Sequence, residues 1–120
     1  MATDPIYHIA LRAEWSAAQP AGVYEMSTRG VTLAQEGFIH CSQLHQVRGV
    51  ADSFYGDLDG LDDLVLLTID PELLSAPVRF EPPAPGLEDF PHIYGPLPVD
   101  AVVDVRPIPR DADGRFELPD

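Results

Sequence analysis

Apolar positions along the chain fall in short runs whose period changes, and each change marks a boundary between elements. Ile6-Tyr7-His8-Ile9-Ala10 follows Pro5 and is apolar, aromatic and β-branched, so it reads as a short strand. Leu11, Trp15 and Ala18 lie at helical spacing, and Pro20 is expected to end that helix. Thr32-Leu33-Ala34-Gln35 has the form of a capping box opening a very short helix, with Gly37 placed to stop it. Phe38-Ile39-His40-Cys41 is the next strand. Ser42 is a suitable N-cap for the segment behind it, where Leu44, Val47, Ala51 and Phe54 recur at helical spacing.

The second half carries more strand than helix. Asp57 to Asp63 is an acidic, glycine-containing loop without the ligand register of a calcium site. Leu64-Val65-Leu66-Leu67-Thr68-Ile69 is almost continuously apolar, which marks a central strand buried on both faces. Asp70-Pro71 offers an N-cap followed by proline at the first helical position. Val78-Arg79-Phe80-Glu81 alternates and reads as a half-buried strand, whereas Pro82 to Leu87 is a proline-rich loop. His92-Ile93-Tyr94 and Ala101 to Val105 are further strands, and Asp113-Gly114 can turn a terminal hairpin between Ile108 and Phe116. About five to seven short strands and two main helices without regular βαβ alternation predict an α+β fold with a split or mixed sheet. A single domain over residues 1–120 is expected, with a core at 6–106 and an extension or hairpin at 107–120.

Composition narrows the partners. Twenty acids against seven bases, all arginine, give a net charge of −13. That charge repels nucleic-acid polymers and anionic membranes, because non-specific binding rests on Lys and Arg neutralising phosphates. A small anionic ligand remains compatible, since one or two local arginines can hold it. No apolar run approaches the ~20 residues of a membrane span. The N-terminus lacks the basic and apolar segments of a secretory leader. With a lone cysteine, Cys41, these features predict a cytoplasmic protein without disulfides.

The candidate chemistry centres on histidine. His8, His40 and His92 each sit inside a short apolar strand, and a buried imidazole needs partners for both ring nitrogens. Two readings stand: three separate core histidines bonded to backbone, or one shared cleft in which they act as catalytic groups. Ser42, as an N-cap beside His40, would offer free N–H groups and the positive helix end to an anion. Arg79 and Glu81 point to one side of their strand and can reach such a cleft, while Tyr55 and Tyr94 can contact a flat ligand. Cys41 is either a thiolate at a helix start or, by strand alternation, a small core residue facing away from His40. His45, separated from His40 by four residues, has poor metal spacing and reads as a solvated helix residue.

Several strings of the sequence resemble a known family. Ile6-Tyr7-His8-Ile9-Ala10, Trp15, Gly37-Phe38-Ile39-His40-Cys41-Ser42, Phe54-Tyr55, Leu64 to Asp70, Pro77-Val78, Glu81-Pro82 and Phe90-Pro91-His92-Ile93-Tyr94-Gly95-Pro96-Leu97 are similar to the domain-of-unknown-function 952 family. The likeness covers about Ile6 to Arg106. That family resembles a compact ADP-ribosyltransferase fold, which grips NAD between the halves of a split sheet. The resemblance implies that His8 lies where the first-strand histidine meets a ribose. It implies that Phe38 to Ser42 flank the nicotinamide, and that Phe90 to Tyr94 match the strand that bears the catalytic glutamate. This chain has no glutamate there, and His92 is the nearest polar residue, so ordinary protein ADP-ribosylation is not what the strand predicts.

The expected function is therefore binding or transformation of NAD or of an ADP-ribosylated or phosphorylated small molecule. His8 and His40 would hold ribose or phosphate, His92 would be general acid/base, and Ser42, Tyr55, Arg79, Glu81 and Tyr94 would contact ligand. A non-catalytic module of the same fold and a three-histidine metal hydrolase are the alternatives.

Overall fold

A computed structural model describes residues 4–28, 30–55, 64–110 and 116–118. In chain order the elements are β1 (Ile6–Leu11), α1 (Arg12–Ala21), β2 (Val23–Tyr24), β3 (Met26–Thr28), β4 (Val31–Thr32), α2 (Leu33–Glu36) and β5 (Ile39–His40). A 3-10 turn at Leu44–Gln46 leads into α3 (Val47–Tyr55). There follow β6 (Leu64–Ile69), β7 (Val78–Glu81), β8 (Phe90–Ile93), β9 (Leu97–Pro98) and β10 (Val102–Pro107), with 3-10 turns at Pro71–Leu73 and Val99–Ala101.

β6 is the centre of one three-stranded sheet, order β1-β6-β10, antiparallel on both sides. The run of apolar residues that predicted burial on both faces does separate two cores. Val65, Leu67 and Ile69 join Ile6, Ala10 and Tyr24 on one side. Leu64 and Leu66 join Ile9, Val47, Val50, Ala51 and Tyr55 on the other, where α3 covers the sheet. A second three-stranded sheet has the order β5-β8-β7, also antiparallel. The two sheets are stitched at one place: Tyr7 N–H donates to Ser42 O at 2.8 Å, and Ser42 N–H donates to Tyr7 O at 2.7 Å. β2 pairs with β9 and β3 with β4 in two small ribbons. The architecture is α+β, with few helices and several small antiparallel sheets.

Local chemistry explains most boundaries. The Thr32 hydroxyl accepts from Gln35 N–H and the Gln35 side chain accepts from Thr32 N–H, so the expected capping box opens α2. Gly37 closes it with φ 96°, a left-handed conformation that favours glycine. Asp70 caps the 3-10 turn at Pro71, accepting from Glu72 N–H at 3.0 Å.

Two expectations need correction and two fall outside the described residues. Pro20 lies inside the last turn of α1 rather than ending it. The helix runs one residue further, to Ala21, because Gly22 (φ 80°) supplies the terminating cap and returns its N–H to Ala18 O. Ser42 is not an N-cap: its backbone is spent on Tyr7, and Gln43 takes the cap in a reciprocal box with Gln46. The Asp57–Asp63 loop and the Asp113-Gly114 turn lie outside the described residues, although the Arg110–Phe116 bridge flanking that turn is present.

Candidate functional site

Strand alternation on β5 and β8 sorts the site residues. Ile39, Cys41 and Ile93 face the first core and are fully buried. His40 and His92 alternate away from them and are direct partners in the ladder, with Arg79 opposite His92 on β7. The sheet thus presents His40, His92, Arg79 and Glu81 on one face. The His40 and His92 ring centroids are 5.6 Å apart. Cys41 is the small core residue that alternation predicted, and burial pushes its thiol well above the ordinary range.

His92 is the best-built group on this face. Its Nδ1 lies 3.0 Å from Glu81 Oε1, and Tyr94 donates its hydroxyl to the same oxygen. A carboxylate can only accept, so Nδ1 carries the proton, and in the neutral ring the lone pair resides on Nε2. That Nε2 is buried and has no hydrogen-bond partner among the described residues. The half-buried Phe38 ring stacks on the imidazole at 4.0 Å and 19°. Glu81 is held below the usual carboxylate range, first by the Tyr94 hydroxyl and then by His92. The Arg79 guanidinium lies over the Tyr94 ring, 5.2 Å from its centroid.

His8 is held differently. Ile6, His8 and Ala10 share one face of β1, the side of the first core, and His8 reaches into the seam between β1 and β5. Its Nδ1 is 2.6 Å from the carbonyl oxygen of His40, which can only accept, so Nδ1 donates. Its Nε2 therefore accepts from the Tyr24 hydroxyl at 2.9 Å. Both nitrogens are engaged within the protein. Burial lowers the His8 pKa to about 4, against the opposing pull of the His40 carbonyl. The His40 pKa is also lowered to about 4, chiefly by burial and then by His8 and His92.

The three histidines thus form a chain of neighbours rather than one ring of ligands. His40 and His92 stand side by side, whereas His8 reaches His40 only through its backbone. Among the described residues no group of three or more His, Cys, Asp or Glu is placed to hold a metal ion.

The remaining expected residues are placed as follows. Ser42 is buried and beside His8 and His40, but the anion site expected of it is absent, because the helix start has moved to Gln43. Tyr55 is buried and donates to Ile9 O at 3.2 Å. Together with Ser27 these residues border a cavity of about 10 Å³, room for about one water molecule. The Ser27 hydroxyl, 1% exposed, has no partner among the described residues. Exposed His45 pairs with Glu88 at 2.6 Å. Sequence reasoning did not assign Tyr24 or Ser27, and the only signal for them was their place in polar-apolar alternation after Gly22.

The fold and this face define a small α+β protein with a split antiparallel sheet and a carboxylate-oriented histidine beside a second, neutral one. The chain belongs to the family described as "Protein of unknown function (DUF952)", whose model matches residues 9–105. It is similar to the crystal structure of protein CC0527 from Caulobacter crescentus, with 37% identity, 94% of this chain and 93% of that chain covered, and a TM-score of 0.76. The solution structure of the same protein matches with 38% identity, coverage of 92% and 90%, and a TM-score of 0.70. No curated protein matches the chain. Among the described residues no helix is long and apolar enough to cross a membrane.

Proposed function

We propose that this chain is a small cytoplasmic enzyme of the ADP-ribosyltransferase-like class that binds and transforms NAD or an ADP-ribosylated or phosphorylated small molecule. The observation that carries the reading is the Glu81–His92 pair, whose inner nitrogen is buried, basic in the neutral ring and without a partner among the described residues. Glu81, on β7 beside β8, brings a carboxylate against His92 from the neighbouring strand, where the Phe90–Tyr94 strand has none of its own. The division of the longer strands into two three-stranded sheets also supports the reading.

In this scheme His92 Nε2 accepts the proton of an attacking hydroxyl or water as the bond from the ribose or phosphoryl group to its leaving group breaks. Glu81 and Tyr94 orient the imidazole and offset its positive charge. Arg79 pairs with a phosphate. His40, neutral at physiological pH, hydrogen-bonds a ribose hydroxyl. His8 positions the His40 backbone, and Ser42 and Tyr55 close the inner wall.

A thermal-shift screen of NAD, ADP-ribose and nucleotide phosphates on the wild type, His40→Ala and His92→Ala tests the reading. A ligand at a hundredfold excess over its Kd stabilises by about 2.7 kcal/mol, a clear melting shift. The shift is expected in the wild type and reduced in both variants. No shift with any of them removes the nucleotide reading.

A second reading, a binding module without turnover, draws on the closure of the site: Phe38 covers His92, and the cavity beside His8 holds about one water. Wild-type turnover that His92→Ala abolishes without unfolding excludes it.

A further inference from the structure

A groove of about 470 Å³, with Tyr24 in its lining, lies between α1 and the β2–β4 segment. Its volume falls in the range of small-molecule sites. Ala17, Ala18 and Ala21 of α1 form one apolar wall, and Met26 and Ala34 face them. The charged groups on its lining are Glu14 and Glu25, with no base among the lining residues. Glu14 is half-buried, has no hydrogen-bond or ion-pair partner among the described residues, and burial raises its pKa. A carboxylate that loses water without gaining a partner is costly, and a ligand cation would offset that cost.

We propose that this groove is a second binding site, and that it takes an organic cation: an ammonium or guanidinium on an apolar stem. The cation pairs with Glu14, Glu25 adds attraction at the rim, and the stem lies along the alanine wall. Anionic ligands are repelled here, so the site is separate in chemistry and place from the His92 face.

Methyl NMR spectra of the full chain titrated with pentylammonium test the proposal, with pentan-1-ol and pentanoate as probes of equal length. Saturable shifts of the Ala17, Ala21 and Met26 methyls are expected with pentylammonium, about fivefold weaker binding in Glu14→Gln, and loss of binding in Ala17→Trp, which fills the groove from an exposed position. Non-saturating shifts, equal binding of pentan-1-ol, or unchanged affinity in Glu14→Gln would each overturn it. Because none of these residues touches His92, the outcome is independent of the nucleotide reading.

Discussion

Glu81 and His92 stand on adjacent antiparallel strands, displaced by two positions in the ladder, and meet through a 3.0 Å contact between Oε1 and Nδ1. Neighbouring strands place residues on one face within reach even when many residues of loop separate them in sequence. The contact fixes which nitrogen of His92 carries the proton and leaves the other for chemistry.

The Tyr94 hydroxyl is the largest cause of the low Glu81 pKa, with His92 second. Tyr94→Phe and His92→Ala should each raise the Glu81 pKa. A carboxyl-carbon NMR titration of Glu81 reads both shifts, and an unchanged pKa in Tyr94→Phe would contradict the role given to that hydroxyl.

His8 and His40 make the fold acid-sensitive. Each has a folded pKa of about 4 against the ordinary 6.5 of histidine, so the unfolded chain binds more protons between those values. Their contribution is fully present above pH 6.5 and is lost as pH falls toward 4, by at most on the order of 3 kcal/mol for each histidine. Urea unfolding at a series of pH values should show stability falling through that window. His8→Gln should flatten the fall, and an unchanged slope in that variant would contradict the assignment.

Gly95 sits where a Cβ would lie 2.6 Å from Ala76 Cβ. Gly95→Ala should destabilise by about 1–3 kcal/mol through overpacking. Adding Ala76→Gly should recover part of that loss in chemical denaturation, whereas strictly additive losses would show that the close approach is not the cause.

Cys41 is fully buried and its thiol is pushed well up by desolvation. A thiol reagent should modify it at the rate of unfolding, and rapid labelling of the native protein would restore it as a candidate nucleophile.

What could be read from sequence was local. The capping box at Thr32 and Gln35 and the cap at Asp70 rest on side chains within three residues of the backbone they satisfy, and the stop at Gly37 rests on a left-handed backbone that returns its N–H to Leu33 O. The apolar run of β6 announced its own burial. Ser42 failed as a cap because Gln43 and Gln46 complete a reciprocal pair one residue later, while Tyr7, remote in sequence, takes the Ser42 backbone. β2, β3, β4 and β9 are only two or three residues long, too short to show a period, and β2 depends on pairing with distant β9. At the site, His40, His92, Arg79 and Glu81 were legible as residue types on strands. The Glu81–His92 contact and the capture of His8 by Tyr24 were not, because both depend on which strands and loops become neighbours.

The decisive observation is the ring nitrogen of His92 itself. In nitrogen-labelled protein, addition of ADP-ribose should shift the His92 Nε2 resonance as that atom gains a partner, while the His8 resonances, both already engaged, should move little. If ADP-ribose and NAD bind yet leave His92 Nε2 unmoved, or if neither binds, the Glu81–His92 pair is not the working centre of this protein.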